Sequence, residues 1–294
     1  MDKATVVWII ISGLLNGGVY ALAAMGLSVQ YGVARVLNLS HGEFIMFAAW
    51  LTFSFFTGLT GFKINPLVSV AIIAPLFLGI GFLIHRTVFT TLRKRAPSAA
   101  AFEGNSLLVA FGLLYVVQNI ALLIWGGVPR AYFWLTSGVD ILGVRFALNN
   151  VIALAVAVAL GVAFYVFVNR SRPGKAIRAA AEDPATAGLM GININRVLPL
   201  CFGLGALLAG IAGVLLSMCY SLSTSMGLGY TVIALIVVAL GGLGSIPGSF
   251  IGGFILGIIG SIVIHFQPAL TMIAFYAILM ILLVARPKGI LGKM

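Results

Sequence analysis

Most of this chain is apolar over stretches too long to fold in water. Nearly continuous apolar runs occupy residues 6–31, 43–61, 66–85, 106–125, 149–168, 197–220, 229–243, 250–266 and 269–285. A helix needs about 20 mostly apolar residues to cross the hydrocarbon core of a bilayer. Most of these runs reach that length. Composition removes the soluble alternative: 62% of the 294 residues are hydrophobic and 8% are charged. An ordinary soluble domain carries about 25% charged residues, so this chain has too few polar side chains to cover a surface. The expectation is an all-α, polytopic transmembrane bundle of eight or nine spans, forming a single domain over residues 1–294. Several runs are short or interrupted by glycine, which leaves the count between the two numbers.

The formal net charge is +11, and the placement of the positives decides what that means. Twelve of the 17 Lys and Arg fall in three clusters. One is Arg86, Arg93, Lys94 and Arg95; the second is Arg170, Arg172, Lys175, Arg178 and Arg196; the third is Arg286, Lys288 and Lys293. Each flanks an apolar run, the pattern of cytoplasmic loops in membrane proteins. No aromatic residues interleave with them as a nucleic-acid surface requires, so no nucleic-acid partner is expected; membrane lipid is. Two spans separate the first cluster from the second and four separate the second from the tail. All three then share one side, the C-terminus is cytoplasmic, and the N-terminus is outside. Ala21-Leu22-Ala23 resembles a signal-peptide cleavage site, but a basic flank of one Lys beside Asp2 reads instead as a retained first span.

Packing signals run along the spans. Gly13, Gly17 and Ala21 repeat every four residues, as do Gly205, Ala209 and Gly213, and Ser249, Gly253, Gly257 and Ser261. Such stripes let membrane helices approach closely where lipid supplies no hydrophobic drive. A weak internal echo pairs His41-Gly42-Glu43-Phe44-Ile45 with Pro247-Gly248-Ser249-Phe250-Ile251. In both places a polar, glycine-containing stretch breaks an apolar run and then starts a helix. Irregular backbone at membrane depth is tolerated only inside protein or beside a water-filled cavity, and paired interruptions point to a transport path. Asn38, Ser40, His41, Glu43, Gly241, Gly242, Gly244 and Ser245 are therefore expected at or near such a path. Glu43 has a competing role: Ser40 and Glu43 are spaced as a helix capping box. An intramembrane acid is also a functional candidate by its cost alone, and one group can do both.

Other chemistry finds few carriers. Cys201 and Cys219 lie in one apolar run without metal or redox spacing, and His85 and His265 stand alone, so no metal site is expected. No nucleophile elbow or zinc-protease motif occurs. No catalytic residues and no enzyme activity are expected. The loop at 126–148, with Arg130, Tyr132, Trp134, Asp140 and Arg145, reads as an outward aromatic belt with snorkelling cations or as a receiving surface for a partner.

The polar segment 169–196 is the most distinctive. Pro173 can open a short Ala-rich helix, Asp183 can cap a second with Pro184 at its first position, and Gly191 falls just past its end. Two short helices on the cytoplasmic side suit a partner-docking knob, or an amphipathic element lying on anionic lipid.

Residues Gly174-Lys175-Ala176, Arg178-Ala179, Ala181-Glu182-Asp183 and Met190-Gly191-Ile192-Asn193 make this segment resemble the coupling loop of ABC-importer permeases of the branched-chain amino-acid type. The stretches Asn38 to Glu43, Leu240 to Gly248 and Arg286 to Gly292 are similar to three further segments of that family, in the same order along the chain. The match is to the smaller of two paralogous permeases. The resemblance implies a transport subunit of the bacterial inner membrane, passing a small polar solute inward. It implies a second permease, two cytoplasmic ATPases docked on Gly174, Lys175, Arg178, Glu182, Asp183 and Gly191, and a periplasmic solute-binding protein. ATP and Mg are then bound by the partners; this chain has no phosphate-loop motif and needs no cofactor of its own. One departure bears on cargo. Family members that handle branched-chain amino acids often carry a Lys about seven residues before the glycine-rich signature, where this chain has the apolar run Ile233 to Ala239. Urea, short amides and other small organic solutes therefore stay open beside amino acids. A stand-alone secondary carrier or channel is the reading of another class.

Overall fold

A computed structural model describes residues 2–61, 63–286 and 289–290. The chain runs through α1 (Lys3–Ala34), α2 (His41–Thr57), α3 (Pro66–Ile84), a π turn (His85–Phe89), α4 (Thr90–Arg95) and α5 (Ala99–Trp125). A two-stranded hairpin, β1 (Gly138–Ile141) with β2 (Val144–Ala147), follows. Then come α6 (Leu148–Arg170), α7 (Arg172–Glu182), α8 (Pro184–Leu189), α9 (Ile194–Cys219), α10 (Gly227–Gly241), α11 (Ile246–Phe266) and α12 (Thr271–Ala285).

Each of the nine apolar runs falls on a helix, and the polytopic helical bundle is as expected. The count of eight or nine spans is not reached by helix length alone. Among the described residues six helical segments have the length and apolarity to cross a membrane: α1, α3 with α4, α5, α6, α9 and α11. Helix α2 has 17 residues, and α10 and α12 have 15 each. At 1.5 Å per residue these reach about 23–26 Å, short of a hydrocarbon core about 30 Å thick. For α2 and α10 the shortening has a local cause, because both start inside the bundle.

Burial fixes the layers. The most apolar stretch of α9 is 89% buried, against 17% for α5. Helix α9 is the central post, with α1, α2 and α3 around it, while α5 turns most of its surface outward. The small-residue stripes form the seams. A Cβ on Gly257 of α11 would lie 2.3 Å from the Gly13 carbonyl oxygen and 2.6 Å from the Gly17 Cα of α1. On α9, a Cβ on Gly213 would lie 2.2 Å from the Ile45 carbonyl oxygen. Only glycine permits these backbones to touch.

The basic regions share one end of the bundle. Arg93 lies across a cleft from the first turn of α9, α7 packs against α1 and α9, and the Ile290 N–H donates to the Leu240 carbonyl at 2.8 Å. Of the tail, Lys288 and Lys293 lie outside the described residues, as do Pro287, Leu291 and Gly292.

Candidate functional site

Helix α1 stops at Arg35, whose φ of 53° turns the chain back on itself. The next residues climb inside the bundle without helical structure until α2 begins at His41. This is the broken segment expected from 38–43, and Asn38, Ser40, His41 and Glu43 are all fully buried in it. Its backbone is carried by side chains. Gln30 of α1 donates from Nε2 to the Phe202 carbonyl at 3.0 Å, and Asn38 Nδ2 donates to Gln30 Oε1 at 3.2 Å. The Ser40 N–H and hydroxyl both donate to Asn38 Oδ1, at 3.1 and 2.6 Å. His41 Nε2 reaches the Ala23 carbonyl at 2.9 Å. Buried polar groups away from water need such partners.

The capping box does not form. Ser40 makes no side-chain cap, its hydroxyl donating to Asn38 instead, and no side chain pairs with the Glu43 carboxylate, which faces the Leu228 N–H at the start of α10. Glu43 turns instead to the start of α10. Its carboxyl group lies within 2.4 Å of where a Cβ on Gly227 would be, so that only glycine leaves room for it. Thr231 bolts the two helix starts together: its hydroxyl accepts from the Gly42 N–H at 2.8 Å and donates to the Leu39 carbonyl at 2.9 Å. A Cβ on Gly42 would sit 1.9 Å from the Gly227 carbonyl oxygen.

Two helix N-termini therefore meet in the buried middle of the bundle. Helix α2 leaves toward the end opposite the basic clusters, passing Gly213 of α9 at Ile45 and Ala48. Helix α10 leaves toward the basic end, where Leu240 holds Ile290. Each start carries the partial positive end of its helix, although the first N–H groups of α2 already bond to Asn38, Ser40 and Thr231, and the Glu43 carboxylate sits between the two starts.

The second interruption, 241–248, lies at another place in the bundle. Gly242 (φ 101°) and Gly244 (φ 82°) form the turn between α10 and α11, Gly241 is buried, and Ser245 caps α11 by accepting the Gly248 N–H at 3.2 Å. Gly244 lies against Gly32, nine residues along α1 from the Ala23 that holds His41. That is about 13 Å toward the basic end. The break that meets 38–43 is the non-helical stretch before α10, at 220–226, which the sequence reading did not single out. Its signal was present as Ser221-Leu222-Ser223-Thr224-Ser225 ahead of Gly227 and Gly229. The loop at 126–137 closes over this stretch: Arg130 and Leu222 exchange backbone hydrogen bonds of 3.0 and 2.7 Å. Tyr132 is buried, with its hydroxyl 2.9 Å from Ser217 Oγ and its ring 4.6 Å from Phe56. It is a core residue and not part of an aromatic belt; Arg130, Asp140 and Arg145 are exposed and Trp134 is half-buried.

The segment 169–196 forms the two short helices its punctuation predicts. Ser171 caps α7 by accepting the Gly174 N–H at 3.0 Å. Gly174, Ile177 and Ala180 form the buried face of α7, while Lys175, Arg178 and Glu182 are exposed. The apolar face that a lipid-surface helix would give to the bilayer is turned onto the bundle. Past α8, Gly191 takes φ 84°, and Leu189 and Met190 are 88% and 79% exposed beside it. Asp183 caps α8, accepting from the Thr186 hydroxyl and from the Ala185 N–H at 2.9 Å. These bonds, the Thr186 hydroxyl first, hold its carboxyl below the usual carboxylate range. A lowered folded value means that the cap contributes above the unfolded value and is lost as pH falls through the folded one. Asp183→Ala is expected to speed amide exchange across 184–190 at neutral pH while α9 keeps its protection. Acidifying the wild type through the lowered value of Asp183 should reproduce that pattern once exchange is referred to the intrinsic rate at each pH; unchanged protection across 184–190 in Asp183→Ala would refute the cap.

Residues 9–284 match the family described as branched-chain amino acid transport system / permease component. The chain belongs to that family. BraD, a permease protein of the high-affinity branched-chain amino acid transport system of Pseudomonas aeruginosa, is 32% identical over 97% of this chain and 95% of its own length. LivH of Escherichia coli, from a system of the same description, is 32% identical over 96% and 94%. The ribose import permease protein RbsC of Escherichia coli is 24% identical over 84% and 75%. As a permease component the chain is a multi-pass membrane transport subunit rather than an enzyme, and it works within a complex of several subunits. Among the described residues no group of three or more His, Cys, Asp and Glu is placed to hold a metal ion. The apolar run Ile233 to Ala239 lies within α10, with Ile233, Ala234, Ile236, Val237 and Val238 buried.

Proposed function

We propose that this chain carries a branched-chain or related amino acid inward across the bacterial cytoplasmic membrane, as the permease of an ATP-driven importer. The whole chain serves as one transmembrane domain. The basic end, with its C-terminus, faces the cytoplasm, in keeping with the positive-inside rule. Two cytoplasmic ATPases, which bind the ATP and Mg, dock on the exposed side of α7 and α8 through Lys175, Arg178, Glu182, Asp183 and Gly191, with Gly174 seating the helix on α6. A paralogous second permease and a periplasmic binding protein complete the machine.

The observation that carries this reading is the meeting of α2 and α10 around Glu43. An amino acid is a zwitterion, and the junction offers both complements. Helix starts favour a carboxylate, as at the broken helices of other transporters. The Glu43 carboxylate favours an ammonium group. The polar groups of Asn38, Ser40 and His41 lie alongside and would replace water around the cargo when the junction opens. Gly241, Gly242, Gly244 and Ser245 form the turn nearest the cytoplasmic mouth and act as a hinge there. Other relatives carry other cargo by their names, RbsC among them, so the class of solute rests on Glu43 and on the higher similarity to BraD and LivH.

The test is uptake by vesicles holding the chain with its co-purified subunits and binding protein. Leucine, isoleucine and valine should enter only with ATP, and urea and acetamide should not. Uptake of urea or acetamide but of none of the amino acids would overturn the cargo. Uptake by the chain alone without ATP would make it a secondary carrier or channel.

A further inference from the structure

The basic end of the bundle holds a cleft that the transport path does not use. It encloses about 240 Å3 between His85, Thr90 and Arg93 on one side and Ile194, Asn195 and Pro199 on the other. His85 begins the π turn, a one-residue insertion that swings its ring in among Phe89 and Phe202, at ring separations of 5.9 and 5.7 Å. The imidazole is 2% exposed, and neither of its nitrogens has a hydrogen-bond partner. A buried ring with at least one N–H left unpaired is costly, and π turns in α-helices recur at functional sites.

The other walls are donors as well. Ile194 and Asn195 are the first residues of the 26-residue α9, and Asn193 before them makes no side-chain cap. Their N–H groups carry the positive end of that helix. Arg93 is held over the Phe102 ring with its guanidinium carbon 5.8 Å from the centroid. The Thr90 hydroxyl donates to the His85 carbonyl at 3.0 Å and keeps its oxygen free to accept. No carboxylate lines the cleft. A helix start, a guanidinium and an unpaired imidazole together describe a receptor for a compact oxyanion.

Depth narrows the choice. His85 stands 19 residues after Pro66 along a continuous helical segment, about 29 Å at 1.5 Å per residue. That is the full hydrocarbon thickness, which puts the cleft at headgroup level on the basic end, with Lys94 and Arg95 just beyond. We propose that this cleft binds a phosphate group, supplied by the headgroup of an anionic phospholipid. Bound there it would tie the π turn to the first turn of α9, the helix that directly follows α7 and α8. The proposal does not depend on the cargo.

The test uses the full complex purified in detergent and stripped of lipid, with its thermal midpoint followed as phosphatidylglycerol, phosphatidylethanolamine or inorganic phosphate is added. Phosphatidylglycerol is expected to raise the midpoint and phosphatidylethanolamine to leave it unchanged. Arg93→Gln and His85→Gln should each weaken the phosphatidylglycerol response about tenfold, and Lys94→Gln, outside the cleft, should not. Arg93 is exposed, so its variant tests the site even where the His85 change disturbs packing. A shift with inorganic phosphate that Arg93→Gln also weakens would support the phosphate site and assign its source to the free ion. No shift with either, or one weakened equally by Lys94→Gln, would overturn it in favour of diffuse charge attraction.

Discussion

Glu43→Gln is expected to cost about tenfold to a hundredfold in uptake while the complex still assembles and melts at or above the wild-type midpoint. The two effects separate because no side chain pairs with Glu43 in the closed bundle, and an amide oxygen can still accept from the Leu228 N–H. A buried carboxylate without a charged partner weakens the fold, so an isosteric amide should not harm stability. An ammonium group would lose a charge-assisted contact, worth about 1.5–3 kcal/mol, or one to two factors of ten at 1.4 kcal/mol each. Measuring initial uptake and melting on the same vesicle preparations checks this. A midpoint that falls in step with uptake would make Glu43 a structural group, and the cargo reading would lose its main support.

Gly42→Ala acts in the opposite way, through the fold. The new methyl group would stand 1.9 Å from the Gly227 carbonyl oxygen and 2.6 Å from the Thr231 N and Oγ1. Backbone cannot rotate aside as a side chain can, so α2 and α10 must part and the Gly42 N–H loses Thr231. Overpacking ordinarily costs about 1–3 kcal/mol, and a clash with two helix starts belongs at the top of that range. The expected result is a melting midpoint lower by several degrees and uptake near background. Gly79→Ala, where nothing lies within 4 Å, serves as the control and should leave both unchanged. An alanine variant at 42 with normal uptake would mean that the junction is loose.

How far the sequence carries can be judged residue by residue. The helices were legible because apolar run length and small-residue stripes are local patterns, and the α7–α8 boundary was legible because Pro173, Asp183, Pro184 and Gly191 are local punctuation. The break at 38–43 was visible for the same reason. Its counterpart was not, because what joins Gly42 to Thr231 is a contact across 189 positions, and no spacing rule reaches that far. The echo with 247–251 marks the start of another helix, α11, after the turn at 241–245. Capping failed at Ser40 for a related reason: Asn38, itself held by Gln30 and outside the box, takes both the Ser40 N–H and its hydroxyl proton. The π turn at His85 left no mark at all, since it depends on how α3 meets Phe202.

The glycine seam between α1 and α11 also governs how the protein is made. Gly13 rests on Ile258, so α1 waits for a helix made about 245 residues after it. At about 5–20 residues per second that delay is about 12–50 s. Meanwhile α1 must sit in the bilayer with its bare glycine face toward lipid and with the Gln30 amide N–H unpaired until Phe202 arrives. Shielding that face in the nascent chain falls to the insertion machinery or to a neighbouring subunit, and substitutions along it should be felt first as lost yield during synthesis.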